Sequence, residues 1–348
     1  MTFRRYVWNA AEGRARAPVR LLAGFVLIAL FAVVGTVVAD LAMTVLWPAS
    51  SFAYYLVGTT LGLGVGAIVG VVVVARSLDR RSLTGYGFRG GGAWWRDLAV
   101  GIGLATVVQA AVLGVELANG WVVVTDTIVA GPEGFLLAMA ASLALFAVVG
   151  LSEELVVRGF VLKNAVEGLA GYGATVAVAV AVAVSSLLFG AVHLANAGAS
   201  LVAVAGIAVV AITLAASYVL TGRLGLAVGF HAAWNVAMGV LFGHPVSGLE
   251  VPARVLVVDV TGPTTWTGGA FGPEAGLLGV FAALAGLVGI VVYARTVEGR
   301  IGIHADLLTP TLRGDEDAIG ITDDTIGNEG STGGHQDVGH DTGVDSSE

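Results

Sequence analysis

The sequence predicts an all-α polytopic membrane protein, with about eight transmembrane helices that enclose a polar site inside the membrane. The first observation is composition, because 56% of the 348 residues are hydrophobic and only 12% are charged, with a mean hydropathy of +0.88. The second is patterning, because the apolar residues form long blocks that a soluble domain would not need. The third is the presence of a few charged and polar side chains within those blocks.

Eight apolar stretches have roughly the 20 residues that a helix needs to cross about 30 Å of hydrocarbon. The first has a basic lead-in, but its apolar core is too long for a signal peptide and no small-residue cleavage site follows it. It is therefore predicted to be a retained helix. The eight predicted helices lie near residues 20–46, 53–75, 97–119, 134–158, 174–194, 200–220, 225–243 and 274–294.

The distribution of basic residues predicts the orientation in a cell (plasma) membrane. With the N-terminus in the cytoplasm, 16 of the 17 Lys and Arg residues fall in cytoplasmic segments, leaving Arg254 outside. Both termini are therefore expected to be cytoplasmic. Three regions follow: a cytoplasmic N-terminal segment (1–19), a transmembrane helical domain (20–303), and an acidic, disordered cytoplasmic tail (304–348) with 11 of the 25 acidic residues.

Three charges stand close together in the fourth apolar stretch, in LSEELVVRGF at 151–160. A charge near the bilayer centre costs about 2.5–3.5 kcal/mol on insertion scales, so this cluster needs partners or a water-filled cavity. Glu154 and Arg158 are four residues apart on one helix face and are predicted to form an ion pair. Glu153 points about 100° away and has no local partner, which makes it the candidate functional carboxylate.

Two histidines lie in later apolar stretches, His193 in FGAVHLAN and His231 in GFHAAWNVAMG. Asn235 follows His231 by one turn and shares its helix face. If helices four, five and seven adjoin, these three side chains and Glu153 converge on one buried pocket. A carboxylate and an imidazole can then activate a water, while the second imidazole and the amide stabilise an oxyanion. Those are the parts of a peptide hydrolase.

Three patterns occur in order on successive predicted helices: EExxxR, FxxxH and HxxxN. Together, over about residues 134–243, they resemble the CPBP family, also called the Abi family, which contains the CAAX prenyl endopeptidases and bacteriocin-processing enzymes. Any one pattern is weak, but all three in order form a specific signal. The residues that carry them are Glu153, Glu154, Arg158, Phe189, His193, His231 and Asn235.

The resemblance implies a role for each catalytic residue. Glu153 and His193 would activate water, and His231 and Asn235 would form the oxyanion hole. The ion pair of the EExxxR pattern would hold the site together. The resemblance further implies an intramembrane endopeptidase that cuts near the cytoplasmic membrane surface.

Metal dependence has two possible answers in this family, whose members have been described both as metalloproteases and as glutamate-dependent, metal-independent proteases. The second description is favoured because the chain has neither an HExxH motif nor a cysteine. No cofactor is then required. Zinc or another divalent metal held by Glu153, His193 and His231 nevertheless stays chemically possible.

The depths of Glu153 and His193 in the membrane test whether one site can form. If the fourth helix continues to a turn at 170–173, Glu153 lies about 16 residues before that turn and His193 about 20 after it, roughly 24 and 30 Å along antiparallel helices. These depths match only if the hairpin projects into the cytosol. A strict crossing by residues 174–194 would put His193 on the far side.

Two other classes of function stay open at this stage. A proton-coupled transporter would use Glu153 and the histidines as a proton relay, although the sequence has no convincing internal repeat. A catalytically idle family member would act as a membrane scaffold. The expected partners are the lipid bilayer and a membrane-associated or lipidated protein or peptide, with no nucleic acid. Four further histidines are expected to be solvated in loops or the tail: His244, His304, His335 and His340.

Overall fold

The computed structural model describes residues 4–48 and 50–313, and it confirms the predicted all-α architecture. In this part of the chain, seven helices are long and apolar enough to cross a membrane, and α7 with its continuation is shorter. The protein is a multi-pass membrane protein. The eight apolar helices are α1 (Ala17–Leu46), α2 (Phe52–Val74), α3 (Gly92–Ala118), α4 (Phe135–Glu154), α5 (Ala174–Val192), α6 (Leu201–Thr221), α7 (Gly225–Asn235) and α8 (Leu277–Glu298).

The run that begins with α4 is longer than the sequence predicted. It continues past Glu154 through a π-helical segment (Leu155–Leu162), a short α-helix (Lys163–Leu169) and a 3₁₀ turn (Ala170–Tyr172). The whole run has 38 residues, about 57 Å at about 1.5 Å per residue, which exceeds the roughly 30 Å of hydrocarbon. The α4–α5 hairpin therefore projects beyond the apolar layer. This is the geometry under which Glu153 and His193 lie at matching depths.

Small residues allow the helices to approach closely. A Cβ on Gly35 of α1 would lie 2.1 Å from the carbonyl oxygen of Gly62 in α2, and a Cβ on Gly229 of α7 would lie 2.1 Å from that of Leu98 in α3. Backbone approach of this kind is a common way for helices to pack in lipid. As a result α7 is central, in contact with α3, α4 and α6.

An antiparallel two-stranded sheet lies at one end of the bundle and was absent from the sequence prediction. Its strands are β1 (Val122–Ala130) and β2 (Ala253–Val260), and the register pairs Val122 with Val260 and Ala130 with Ala253. We call this side the sheet end. The remaining short elements are Arg4–Val7, Trp8–Asn9, Arg14–Ala15, Ala75–Asp79, Thr84–Tyr86, His193–Ala195, Val236–Leu241, Thr264–Thr267, Gly269–Phe271, Pro273–Ala275 and Ala305–Leu308.

The opposite end, which we call the network end, is held by buried ion pairs. Arg20 Nε lies 3.0 Å from Asp79 Oδ1, Arg14 Nη2 lies 3.0 Å from Glu167 Oε2, and Arg81 Nη2 lies 2.7 Å from the same oxygen. Burial alone would lower the pKa of Arg81, but the Glu167 and Asp79 carboxylates outweigh it and raise that pKa above its ordinary value. The network ties the N-terminal segment to the end of the long α4 run.

Residues 304–313 belong to the folded body, so the predicted tail boundary at residue 304 was wrong. Leu307 is fully buried, and the ammonium of Lys163 donates to the carbonyl oxygens of Asp306 and Thr309, the latter at 2.9 Å. Hydropathy misses this contact because the segment is held by hydrogen bonds to its backbone and by a single fully buried leucine. The rest of the predicted disordered tail, 314–348, lies outside the described residues.

Candidate active site

The motif residues lie where two central helices change their winding. Glu153 and Glu154 are the last residues of α4, and the π segment Leu155–Leu162 follows directly. Asn235 is the last residue of α7, and a second π segment, Val236–Leu241, begins after it. π-Helical turns occur frequently at functional sites, and here two of them adjoin the same cluster.

The predicted ion pair is present and fully buried. Arg158 Nη1 donates to Glu154 Oε1 at 2.9 Å, and both side chains have no exposed surface. Arg158 also donates from Nη2 to the carbonyl oxygen of Ala211 in α6 at 2.8 Å, and its guanidinium carbon lies 4.9 Å from the centre of the Phe189 ring in α5. A single arginine thus joins α4, α5 and α6.

His231 lies between the two glutamates. Its Nδ1 is 2.8 Å from Glu154 Oε1, and its Nε2 is 3.7 Å from Glu153 Oε2. Sequence reasoning missed this bond, because the two residues are 77 positions apart and meet only through the packing of α4 on α7. The bond makes His231 part of the buried ion-pair cluster.

His193 is held by its own helix. It is the first residue of the 3₁₀ turn after α5, and its Nδ1 lies 2.7 Å from the carbonyl oxygen of Phe189. A carbonyl oxygen only accepts, so Nδ1 carries the hydrogen and, in the neutral ring, Nε2 has a free lone pair. The Phe189 ring centre lies 4.9 Å from that of His193 and 5.8 Å from that of His231, which explains the FxxxH spacing.

Four of the six predicted catalytic residues line one cavity of about 400 Å³: Glu153, His193, His231 and Asn235. The alternative that His193 lies across the membrane from Glu153 is therefore wrong. Oε2 of Glu153 is buried and, among the described residues, has no hydrogen-bond partner. Nε2 of His231, at 3.7 Å, lies beyond hydrogen-bond distance of it.

Glu153 also borders a second cavity, of about 240 Å³, whose wall is mostly apolar. This cavity lies between α1, α2, the middle of the long α4 run and α5. The lining includes Phe25, Ile28, Leu63, Val156 and Leu188. The candidate carboxylate therefore stands at the junction of a polar and an apolar chamber.

The described residues do not present a preformed metal site. Within 4–48 and 50–313, no group of three or more His, Asp or Glu side chains has the arrangement of a metal site, and Glu153, His193 and His231 form no such group.

Sequence reasoning also missed a polar wall at the sheet end of the same cavity, formed by Asn196, Trp234, Ser247 and Glu274. The signal was weak, because two of these residues lie in loops without hydrophobic periodicity. Only Trp234 shares a helix with the motif residues, one turn after His231.

The prediction that His244 is solvated was wrong. This side chain is buried, and its Nε2 lies 2.7 Å from Oε2 of Glu116, which is fully buried in α3. His304 is also partly buried, and its Nδ1 accepts a hydrogen bond from the Asp306 backbone at 3.3 Å. His335 and His340 lie outside the described residues.

The fold and the cavity together define a class: a polytopic helical membrane protein with carboxylate, imidazole and amide groups around a buried chamber. Residues 134–237 match the family model described as type II CAAX prenyl endopeptidase Rce1-like. The match contains every motif residue and confirms the family resemblance. At the level of the family, residues 134–237 are similar to CAAX-type intramembrane proteases. No curated protein and no solved structure matches the chain.

Proposed function

We propose that this protein is a glutamate-dependent intramembrane endopeptidase that cuts a peptide bond near the cytoplasmic surface of the plasma membrane. The observation that carries the proposal is the cavity shared by Glu153, His193, His231 and Asn235. Helix α4 starts at the sheet end, and Glu153 lies 18 residues later, about 27 Å along the helix. Glu153 is therefore close to the side of the apolar layer that faces the network end. By the charge distribution, that side is cytoplasmic, as are both termini.

In the proposed mechanism, Glu153 and His193 activate the water. Glu153 contributes its carboxylate and His193 contributes the lone pair of Nε2. As the water oxygen bonds to the scissile carbonyl carbon, its proton passes to this pair. General-base assistance of this kind supplies about 10²- to 10⁴-fold in rate.

His231 and Asn235 stabilise the negative charge that the carbonyl oxygen gains in this step. Glu154 accepts from Nδ1 of His231, so a second proton on Nε2 is directed into the cavity beside the Asn235 amide. When the tetrahedral intermediate collapses, the carbon–nitrogen bond breaks and the proton held by the base passes to the leaving amine. Loss of one oxyanion donor typically costs about 10²- to 10³-fold in kcat.

Glu154 and Arg158 do not line the cavity, so they act as positioning residues. Their ion pair and the bond from Glu154 to His231 hold the imidazole relative to α4 and α6. Supporting contacts of this kind keep catalytic groups within about 0.5 Å of a productive geometry.

The proposed substrate is a lipidated or otherwise membrane-anchored protein or peptide. The apolar chamber beside Glu153 supports this, because an acyl or prenyl chain can occupy it while the adjoining peptide enters the polar cavity. The proposed reaction uses no metal ion.

The test is cleavage of lipid-anchored reporter peptides by the full-length protein in vesicles. Glu153→Ala should abolish cleavage while the protein still assembles in the membrane, and EDTA should leave the wild-type rate unchanged. Glu116→Gln is the matched control, since it alters another buried carboxylate beside a histidine but outside the cavity. Cleavage that persists in Glu153→Ala would overturn the mechanism, and a wild-type protein without any cleavage would favour the scaffold alternative.

A further inference from the structure

The polar wall at the sheet end of the cavity is built around one buried carboxylate. Glu274 lies in the 3₁₀ turn Pro273–Ala275 just before α8 and is only 6% exposed. Its Oε2 accepts from the Ser247 backbone nitrogen at 3.0 Å and from the Ser247 hydroxyl at 2.6 Å. Its Oε1 accepts from Trp234 Nε1 at 3.3 Å. These three donors fix the carboxyl group in place.

The wall extends to α5 through one more hydrogen bond. Asn196 donates from Nδ2 to the carbonyl oxygen of Ser247 at 3.0 Å. Ser247 adopts a left-handed backbone conformation, φ +48°, which is uncommon for a residue with a side chain and is held here by bonds on both sides. The turn at Ser247 is therefore fixed so that Glu274 remains on the cavity wall.

Every donor to Glu274 is neutral. Within the described residues 4–48 and 50–313, no Lys, Arg or His nitrogen lies within 4 Å of its carboxyl oxygens, whereas Glu153, Glu154, Glu116 and Glu167 each have at least one such nitrogen. A buried carboxylate without a cation is costly unless a partner arrives. The cavity that Glu274 lines is where such a partner can enter.

Glu274 stands close to the proposed chemistry. Trp234, which donates to it, lies three residues after His231 on α7, about 4.5 Å along the helix axis. Glu274 also lines a further cavity of about 550 Å³ between α6 and the loop before α8. A peptide that runs from the motif residues toward the sheet end therefore passes this carboxylate and has room beyond it.

We propose that Glu274 is a specificity-determining residue that binds a cationic group of the peptide substrate, a Lys or Arg side chain, on the sheet-end side of the scissile bond. The proposal rests on the proposed endopeptidase function and adds the charge of the substrate to it. A substrate ammonium or guanidinium supplies the positive charge that the described residues do not, and it pairs with a carboxylate already held in position.

The experiment uses a set of lipid-anchored, internally quenched peptides that share one neutral sequence. In each peptide a single position is replaced by Lys, Met or Glu, and the replaced position differs from one peptide to the next. With wild-type protein in vesicles, kcat/KM should be at least about tenfold higher for Lys than for Met at one position, a range typical of a buried charge pair. Glu274→Gln should remove this preference, and Glu274→Lys should favour the Glu peptide. Glu116→Gln should retain the wild-type preference.

Either of two results would overturn the proposal: no preference for Lys at any position in the wild-type protein, or an unchanged preference in Glu274→Gln. The wild-type comparison needs no variant, so it stands even if Glu274→Gln folds poorly. Fluorescence anisotropy of the same labelled peptides on Glu153→Ala separates the two proposals. If the wild-type protein cleaves no peptide but Glu153→Ala binds the Lys peptide selectively, and adding Glu274→Gln removes that selectivity, the peptidase proposal fails. The proposed cation subsite then still stands.

Discussion

Oε1 of Glu154 lies 2.8 Å from Nδ1 of His231, and the same oxygen lies 2.9 Å from Nη1 of Arg158. One carboxylate oxygen therefore joins an imidazole of α7 to a guanidinium that also bonds to the backbone of α6. Because the cluster is buried, each member depends on the others for its charge balance. The predictions below separate its structural effect from its effect on catalysis.

Glu154→Gln should lower kcat much more than it changes KM. The amide keeps the shape of the side chain but lacks the negative charge that holds the second proton on the His231 ring. Replacing an orienting carboxylate by an amide costs up to about 10⁴-fold in a catalytic triad, and a loss of at least about 10²-fold is expected here. Steady-state kinetics with the reporter peptides, and the pH profile of kcat/KM, measure the effect.

Glu116→Gln is a close control for this change. Glu116 is also fully buried and lies 2.7 Å from a histidine nitrogen, that of His244, but neither residue lines the site cavity. It should lower the melting temperature without altering KM or the pH profile. Equal losses of kcat in both variants would mean that Glu154 acts only through stability.

Arg158→Met should destabilise the fold by about 3–5 kcal/mol, because it leaves the buried Glu154 carboxylate without its guanidinium. Adding Glu154→Leu should recover part of this loss, with a coupling energy of about 0.5–3 kcal/mol. Unfolding in mixed micelles measures both quantities. Arg254→Met breaks an exposed pair with Glu250 and should change stability by less than about 1 kcal/mol. Additive losses in the double variant would contradict a coupled buried pair.

Gly229→Ala should push α7 away from α3 and shift His231, two residues later. The added Cβ would lie 2.1 Å from the carbonyl oxygen of Leu98, a backbone atom that cannot move aside alone. Overpacking of this kind costs about 1–3 kcal/mol, and a reduced kcat should accompany it. Gly103→Ala is the matched control on α3, because its Cβ would meet nothing within 4 Å. Similar stability and activity of the two variants would exclude a close-packing role for Gly229.

Local features of the sequence predicted the parts of this structure that depend on local physics. Blocks of apolar residues predicted the helices, and the four-residue spacing of Glu154 and Arg158 predicted a pair that the structure contains. The helix order predicted that Glu153 and His193 share a site under only one of two hairpin geometries. The choice between them needed the length of the α4 run, which hydropathy alone set too short.

The features that sequence reasoning missed arise from contacts between distant segments. The bond between Glu154 and His231 requires the close approach of helices that small residues permit. Glu274 is recognised only once its loop folds beneath α7 and meets Trp234. The π segments after Glu154 and Asn235 have no periodic signal of their own, and β1 and β2 pair across more than 120 residues.

Cysteine labelling should determine the orientation of the chain, since the natural sequence contains no cysteine and gives no background. Thr127→Cys is exposed on β1 at the sheet end, and Ala305→Cys is exposed at the network end. If positive charges hold the network end in the cytoplasm, a membrane-impermeant maleimide should label Thr127→Cys in intact cells and Ala305→Cys only after permeabilisation. The opposite pattern would reverse the topology and would move the proposed cleavage to the outer surface, because Glu153 lies at the network side of the apolar layer.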